Sequence, residues 1–249
     1  MALRHTEKCQ QIWLIYMQNK KQLNILPQPT DESCGPTCLQ AIYDFYGKHI
    51  ELEKLIKDVK QVKGGGTLAV MLGNHALKHG YAVDIYTYNL LVFDPSWFQT
   101  KTDLIAKLKL QAQHKNSNKL KQATNAYLEF LTAGGNIYLD ELQPSLLKEI
   151  LMKGRPILTG LSATYLYNSP REISETNTYD DIKGVPVGHF VVISGLDEQE
   201  NKLLIADPLN PNPINKTNQY YKVDIQRVVN AILLGIVTYD ANLLIIYPR

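Results

Sequence analysis

Residues 26–39 read LPQPTDESCGPTCL and contain two of the three cysteines of the chain. From Cys38 to Tyr46 apolar residues recur at helical spacing, and Gly47 follows them as a helix stop. Cys34 is therefore predicted in the first turn of an amphipathic helix, with a polar approach segment in front of it.

The first turn of a helix favours a thiolate at Cys34, because its unpaired N–H groups and partial positive charge stabilise an anion. Ser33 is predicted to cap this helix, and Pro36 is tolerated near its start. Gly35 would let a substrate backbone approach closely. Attack of the sulfur on a carbonyl would create an oxyanion, for which the Cys34 N–H and the Gln28 amide are candidate donors. The alternative is a small buried cysteine without chemistry.

A base for this thiol is sought among the histidines. His75 and His79 lie four residues apart on one predicted helix, but no third metal ligand follows, so a solvated helix face is the favoured interpretation. His189 differs, because it opens the apolar strand GHFVVISG. A structural histidine beside a buried strand is the alternative. The six candidates are His5, His49, His75, His79, His114 and His189.

The segment after His189 predicts a carboxylate partner for it. GHFVVISGLDEQENKLLIADP reads as two strands joined by a polar turn at 197–201. With the turn centred on Glu198, His189 lies directly opposite Asp207, and the two-residue period places both on one face. Asp207 would then orient the imidazole, which would take the thiol proton. The alternative for Asp207 is a turn-forming residue before Pro208.

The remaining pattern predicts helices first and strands afterwards, which indicates an α+β protein with a mostly antiparallel sheet. We treat residues 1–249 as a single domain and interpret about 89–142 as a helical insertion that shapes the cleft. Further helices are predicted at 51–60, 68–79, 101–131 (interrupted at 113–119) and 143–154, and 225–235 is predicted as one more helix or a helix–strand junction. Strands are predicted at 81–88 and 155–167 and throughout the C-terminal third, and 168–184 is predicted as a surface loop.

Composition and charge exclude several classes of function. The chain is 45% hydrophobic and 20% charged, with a net charge of +2, so no electrostatic footprint for nucleic acid is present. No apolar run is long enough to span a bilayer, and residues 1–21 do not form a secretory signal. Three cysteines without framework spacing predict a reducing compartment, and we expect a cytoplasmic protein.

With these residues identified, the chain resembles papain-like cysteine peptidases. It is most similar to the bacterial branch that includes the leader-cleaving domains of bacteriocin exporters, cysteine-peptidase family thirty-nine. The matching motifs are QPTDESCGPTCL, GHFVVISG and LLIADP. Three further stretches, GGGTLAVMLG, ILTGLSATYLY and NAILLGIVTYDANLLII, resemble stand-alone bacterial proteins of this type, so the resemblance covers most of the chain.

The resemblance implies a papain-like fold in which the nucleophile helix packs against the antiparallel sheet. It also implies cysteine-type hydrolysis of a peptide bond in a peptide or protein substrate, without a cofactor. The catalytic residues that carry over are Cys34, His189, Asp207 and Gln28. The chain shows neither the membrane domain nor the ATPase domain of the exporters, so we do not expect leader processing coupled to export.

Three functions stay open at this point. The first is a cysteine peptidase, and the second is an acyl transferase or amidase that uses the same thioester intermediate. The third is a module that binds peptides without cutting them. KGGGT lacks the ending of a phosphate loop, which argues against a nucleotide site. Tyr165, Tyr167 and Tyr179 either line a peptide groove or are ordinary half-buried residues.

Overall fold

The computed structural model describes residues 23–62 and 66–249, so the predictions for residues 1–21 and for Gly64 and Gly65 lie outside the described residues. The helices are α1 (Cys34–Phe45), α2 (Leu52–Asp58), α3 (Ala69–Lys78), α4 (Leu104–His114), α5 (Asn118–Thr132), α6 (Pro144–Met152), α7 (Ala163–Tyr167) and α8 (Ile225–Leu234). The strands are β1 (Tyr81–Thr87), β2 (Asn136–Tyr138), β3 (Ile157–Ser162), β4 (Glu172–Ile173), β5 (Thr178–Tyr179), β6 (Gly188–Asp197), β7 (Lys202–Ala206), β8 (Tyr220–Asp224) and β9 (Asn242–Pro248). Short 3-10 helices span Pro95–Phe98 and Gly235–Thr238.

Seven strands form one sheet in the order β2-β1-β9-β3-β6-β7-β8. Each neighbouring pair is antiparallel except β1 and β2, which run parallel. β4 and β5 form a separate small hairpin. The predicted α+β class with a mostly antiparallel sheet is confirmed.

Helices cover both faces of the sheet, and β6 shows how the two faces divide. Phe190 and Val192 pack into the cluster that holds the buried residues of α1 and α3. Val191 and Ile193 pack into the cluster that holds α6 and α8. A strand alternates its side chains between faces, so a stretch buried on both sides is apolar throughout, as residues 190–193 of β6 are.

Helix α1 lies against β6, and this contact brings the start of the helix to the start of the strand. Leu39 and Ile42 are buried on the sheet side of α1, and Gly47 ends the helix with φ 83, a value that favours glycine. One turn after the helix start, the Cys38 thiol donates to the Phe190 carbonyl oxygen at 3.3 Å. Phe190 directly follows His189, so the first turn of α1 lies next to the predicted base.

The predicted strand at 155–167 is wrong over its second half, where α7 follows β3. Ser162 accepts a hydrogen bond from the Tyr165 N–H and starts the helix, and Asn168 ends it in the left-handed conformation with φ 55. The apolar run concealed this change, because a buried strand and a short buried helix look alike by periodicity. The predicted loop at 168–184 contains the β4–β5 hairpin.

The segment 89–142 contributes α4, α5 and β2. Helix α5 packs on α3, where the Asn74 side chain donates to the Ala126 carbonyl at 2.9 Å and Phe130 is fully buried. The interruption predicted at 113–119 falls where α4 ends and α5 begins. The single-domain assignment and the insertion stay predictions. Within residues 23–62 and 66–249, no helix combines the length and apolar character that crossing a membrane requires.

Candidate active site

Cys34 is the first residue of α1, and its half-exposed side chain lines a cleft of ≈ 950 Å³. Ser33 occupies the N-cap position, but its hydroxyl donates to the Thr30 carbonyl at 2.7 Å, so the predicted side-chain cap is wrong. Among the described residues, the Cys34 N–H has no acceptor. An unpaired helix N–H therefore lies beside the sulfur, as an oxyanion donor must.

Gly35 is required by packing and not by an approaching substrate. A Cβ at this position would lie 2.6 Å from Thr67 Cγ2 and 3.3 Å from Phe190 Cδ2. The glycine therefore lets the tip of α1 settle against the approach to α3 and against β6. The prediction that Gly35 admits a substrate backbone is corrected accordingly.

His189 lies near the start of β6, is 7% exposed and lines the same cleft as Cys34. Its Nε2 donates to Asp207 Oδ1 at 2.9 Å. Because Nε2 is used there, Nδ1 is the ring nitrogen left for the thiol, and the nearby Cys34 in the same cleft contributes to the raised pKa of His189. The structure thus brings together the predicted sulfur, imidazole and carboxylate.

Asp207 is fully buried and accepts four hydrogen bonds. Oδ1 accepts from His189 Nε2 and from the Leu209 N–H, both at 2.9 Å. Oδ2 accepts from the hydroxyls of Tyr167 at 2.7 Å and Tyr221 at 2.5 Å. A carboxylate with this many fixed donors keeps its charge and its orientation, so it can hold the imidazole in one tautomer.

The predicted register between His189 and Asp207 is wrong by two residues. Ile193 pairs with Ile205 and not with Leu203, and the register shifts again at a bulge between Ile193 and Gly195. Continued to the end of β7, this register places Asp207 level with Val191. His189 and Asp207 are therefore diagonal neighbours on one face, which long side chains can bridge.

Charge and burial set the protonation of the pair. Burial acts to lower the pKa of His189, but the charge and hydrogen bond of Asp207, and then Cys34, outweigh it and raise this pKa above its usual value. Burial acts to raise the pKa of Asp207, but the His189 charge and the hydrogen bonds from His189 and Tyr221 outweigh it and lower this pKa. The buried pair is therefore an imidazolium and a carboxylate.

Gln28 lines the same cleft as Cys34. Its backbone N–H donates to the Pro208 carbonyl at 2.8 Å, which fixes it beside the segment that carries Asp207. Its side-chain Nε2 donates to the Thr30 carbonyl at 3.1 Å. A primary amide has two hydrogens, so this bond leaves one free donor. The side-chain Oε1 of Gln28 is buried and has no hydrogen-bond partner among the described residues.

The tyrosines divide into different roles. Tyr167 and Tyr179 line the cleft, whereas Tyr165 lies under the guanidinium of Arg227, 5.5 Å from its ring centroid. Sequence reasoning missed Tyr221, which reads as an ordinary strand residue. It also missed Asp240, which lines the cleft and reads as a turn residue before the last strand.

The two histidines of α3 are not a solvated pair. His75 is 7% exposed and accepts the Tyr43 hydroxyl on Nδ1 at 2.8 Å, and burial lowers its pKa to about 4. His79 Nδ1 donates to the His75 carbonyl at 2.9 Å. The part of the chain that the structure describes contains no group of three or more His, Cys, Asp or Glu side chains placed to hold a metal.

Comparison with known proteins assigns the family. A family model described as the Peptidase_C39 like family matches residues 15–232, so the chain belongs to this family. No curated protein matches the chain.

Two solved structures are similar to it. One is described as a C39-like peptidase from Bacillus anthracis, with a TM-score of 0.51 and 16% identity over 92% of this chain and 96% of that one. The other is the peptidase domain of Streptococcus ComA, a bifunctional ABC transporter, with a TM-score of 0.42 and 14% identity over 92% of this chain and 100% of that one. The first likeness supports the papain-like fold.

Proposed function

We propose that this member of the Peptidase_C39-like family hydrolyses peptide bonds with Cys34 as nucleophile. In this proposal His189 is the general base and acid, and Asp207 positions it. Gln28 and the Cys34 N–H bind the oxyanion. The observation that carries the proposal is that His189, held by the Asp207 carboxylate through Nε2, lines the same open cleft as Cys34 at the tip of its helix.

The first half of the reaction forms a thioester. In the starting state His189 Nδ1 already holds the proton of Cys34, and the Cys34 thiolate attacks the scissile carbonyl carbon. The carbonyl oxygen then carries the negative charge, and the Cys34 N–H and the free hydrogen of Gln28 Nε2 donate to it. When this intermediate collapses, the C–N bond breaks and the imidazolium gives its proton to the leaving amine.

The second half hydrolyses the thioester. Neutral His189 takes a proton from water, and the hydroxide attacks the acyl carbon within the same oxyanion site. The C–S bond breaks, the acid product leaves, and the released Cys34 thiolate again faces the His189 imidazolium. The protein therefore returns to its starting state with one water consumed, and every proton passes through one imidazole.

Asp207 takes no proton in this scheme. Its four donors and its lowered pKa favour the carboxylate throughout. The carboxylate stabilises the imidazolium in each half of the reaction and keeps Nδ1 directed at the sulfur. We also place the protein in a reducing, cytoplasmic compartment, because Cys34 and Cys38 are both free thiols.

The test is alkylation of Cys34 with iodoacetamide as a function of pH, in wild type and in His189→Ala. Peptide mapping by mass spectrometry reads Cys34 alone. Cys38 is the internal control, because burial raises the pKa of its thiol and the thiol donates a hydrogen bond to the Phe190 carbonyl. We expect rapid labelling of Cys34 at pH 6 in wild type and about a tenfold or greater loss in His189→Ala. Equal, slow labelling in both proteins would contradict the catalytic pair.

A second measurement separates peptide hydrolysis from the alternatives. Incubating the protein with a peptide library, with and without added hydroxylamine, shows by mass spectrometry whether acids or hydroxamates form. Acid products in wild type and none in Cys34→Ala support the peptidase. Products that form only when the amine is added indicate an acyl transferase. Binding without any product indicates a peptide-binding module.

A further inference from the structure

A second buried acid, Asp240, lies in the same cleft and has no role in the chemistry above. It precedes β9, is 7% exposed and lines the cleft with Cys34 and His189. Its Oδ2 lies so close to Gly188 that a Cβ on this glycine would collide with it, and Gly188 directly precedes His189 in the chain. The carboxyl group therefore lies within one residue of the proposed base.

Two strands make room for this side chain. A Cβ on Gly160 would lie 2.7 Å from Asp240 Cβ, and Gly188 on the adjacent strand is equally restricted. The residues on both sides of Asp240 have positive φ, 73 for Tyr239 and 24 for Ala241. Neither is a glycine, so the backbone is strained on both sides of the acid. Strain of this kind persists where the position of a side chain matters.

The charge of Asp240 is only partly compensated by the protein. Its Oδ2 is 2.7 Å from the Thr238 hydroxyl, but that hydroxyl is also 3.0 Å from the Gly235 carbonyl and has one hydrogen for two acceptors. Within residues 23–62 and 66–249 no cation pairs with Asp240. Lys119, which also lines the cleft, instead lies 4.5 Å from the Tyr239 ring centroid.

The raised pKa of Asp240 agrees with the lack of a direct cationic partner. Burial raises its pKa from 3.8 to about 7, and the opposing effects of Thr238, Lys119 and His189 are smaller. An unpaired carboxyl in such a place is costly as an anion, and a cation bound next to it removes the cost. A group with N–H donors and a positive charge makes the strongest complement, since charge-assisted hydrogen bonds are the strong ones.

We propose that Asp240 is a specificity-determining residue, which binds the ammonium or guanidinium group of a lysine or arginine side chain next to the scissile bond. The inference rests on the proposed peptidase function, because the bond to be cut defines the position of the basic residue. The cleft is also lined by Asp31, Glu32 and Glu172. Among the described residues that line it, these acids and Asp240 outnumber the two lysines, Lys119 and Lys216, so the negative charges favour a basic peptide.

The test uses peptides made by digesting a proteome with a glutamyl endopeptidase, which leaves lysines and arginines intact. Wild type is incubated with this library, and the cleaved bonds are identified by mass spectrometry. We expect lysine and arginine to be enriched at one position beside the bond. A peptide from the enriched set is then synthesised, acetylated and amidated, with lysine or norleucine at that position.

The readout is the ratio of kcat/KM for the lysine peptide to kcat/KM for the norleucine peptide. We expect a ratio of about 10 to 100 in wild type, the range of one charge-assisted hydrogen bond. The ratio should fall close to 1 in Asp240→Asn. Asp197→Asn, an acid at the far end of β6 that pairs with Lys222, is the matched control and should keep the wild-type ratio. Capped termini exclude recognition of a free α-amine.

The outcomes separate the two proposals. Cleavage without basic enrichment, or an unchanged ratio in Asp240→Asn, overturns the role of Asp240 and leaves the peptidase standing. Failure of wild type to cut any peptide overturns the peptidase. In that case binding is measured instead, with immobilised Cys34→Ala and the double variant Cys34→Ala, Asp240→Asn exposed to the same library. The Asp240 site is overturned too if the double variant retains as much basic peptide as Cys34→Ala does. If Asp240→Asn does not fold, equal rates for the two peptides in wild type still refute the inference.

Discussion

Replacing Asp207 by asparagine tests the buried pair directly, because the amide keeps the shape and removes the charge. The Leu209 N–H and His189 Nε2 can only donate, so the asparagine oxygen must stay at the Oδ1 position. The new NH₂ group then faces the hydroxyls of Tyr167 and Tyr221, which can rotate and accept. All four contacts survive in geometry, but none of them involves a carboxylate.

The expected cost follows from these four bonds. A hydrogen bond to a charged group contributes about 1 kcal/mol more than a neutral one. Four such losses are partly offset because a carboxylate is no longer buried. The free energy of unfolding should therefore fall by about 3 kcal/mol. That figure is at the lower end of the roughly 3–5 kcal/mol expected when a buried ion pair is broken. Activity should fall further, because His189 loses the charge that stabilises its imidazolium.

The loss should depend on pH with a defined sign. The pKa of His189 is raised from 6.5, so its contribution to stability is complete below 6.5 and is lost as the pH rises through the raised value. The pKa of Asp207 is lowered from 3.8, so its contribution is complete above 3.8 and is lost as the pH falls through the lowered value. The difference between wild type and Asp207→Asn is therefore largest between these two pH values.

The assay is urea unfolding of both proteins at pH 3, 5 and 9, followed by far-UV circular dichroism. Asp197→Asn is the control, since Asp197 is a partly exposed acid at the surface that pairs with Lys222 and should contribute little. A difference below about 1 kcal/mol at pH 5, where a difference several times larger is expected, would refute the view that the carboxylate anchors the site. A difference that grows steadily towards pH 9 would refute the assigned protonation states.

Three further predictions follow from single contacts. Gln28→Ala should lower kcat about 100- to 1,000-fold in steady-state assays, because an oxyanion donor is lost. The melting temperature should shift by less than about 2 °C, since among the described residues the Gln28 side chain hydrogen-bonds only to Thr30. An unchanged kcat contradicts the oxyanion role of Gln28. Burial raises the pKa of Asp240 from 3.8 to about 7, so the folded protein binds this proton more tightly than the unfolded chain and its stability falls as the pH rises. Between pH 5 and 8 calorimetry should show the stability of Asp240→Asn rising by roughly 3 kcal/mol relative to wild type. A constant difference in stability argues against this pKa shift. Gly35→Ala places a Cβ 2.6 Å from Thr67 and should cost about 1–3 kcal/mol in urea unfolding, whereas a neutral effect would mean that the helix tip is not tightly packed.

The contact between His189 and Asp207 was predictable even though its register was not. A bulge and a displaced turn shift the pairing, but the shift at this end of the strands is two residues. Since side chains alternate with a period of two, a slip of two keeps both residues on the same face. A slip of one would have separated them, so the strand pattern predicted the shared face and the side chains bridged the remaining offset.

Local pattern also predicted the helix that starts at Cys34, its end before Gly47 and most of the strands, because burial on one or both faces imposes a period that is visible in the sequence. It could not predict α7, where an apolar run suits a strand and a helix equally well. The need for Gly35 was likewise misjudged, because it depends on Thr67 and Phe190, which are distant in sequence. The Ser33 cap was misjudged because its hydroxyl bonds the preceding Thr30 carbonyl, a local alternative that the pattern does not distinguish.

Residue order and periodicity alone therefore selected the candidate sulfur, imidazole, carboxylate and amide, since each lies near a recognisable helix start or strand end. Only the packed chain revealed Tyr221 and Tyr167 on the carboxylate, and Asp240 in the cleft. Those contacts join segments from different parts of the chain, and a pairing across a folded core leaves no periodic trace in either segment.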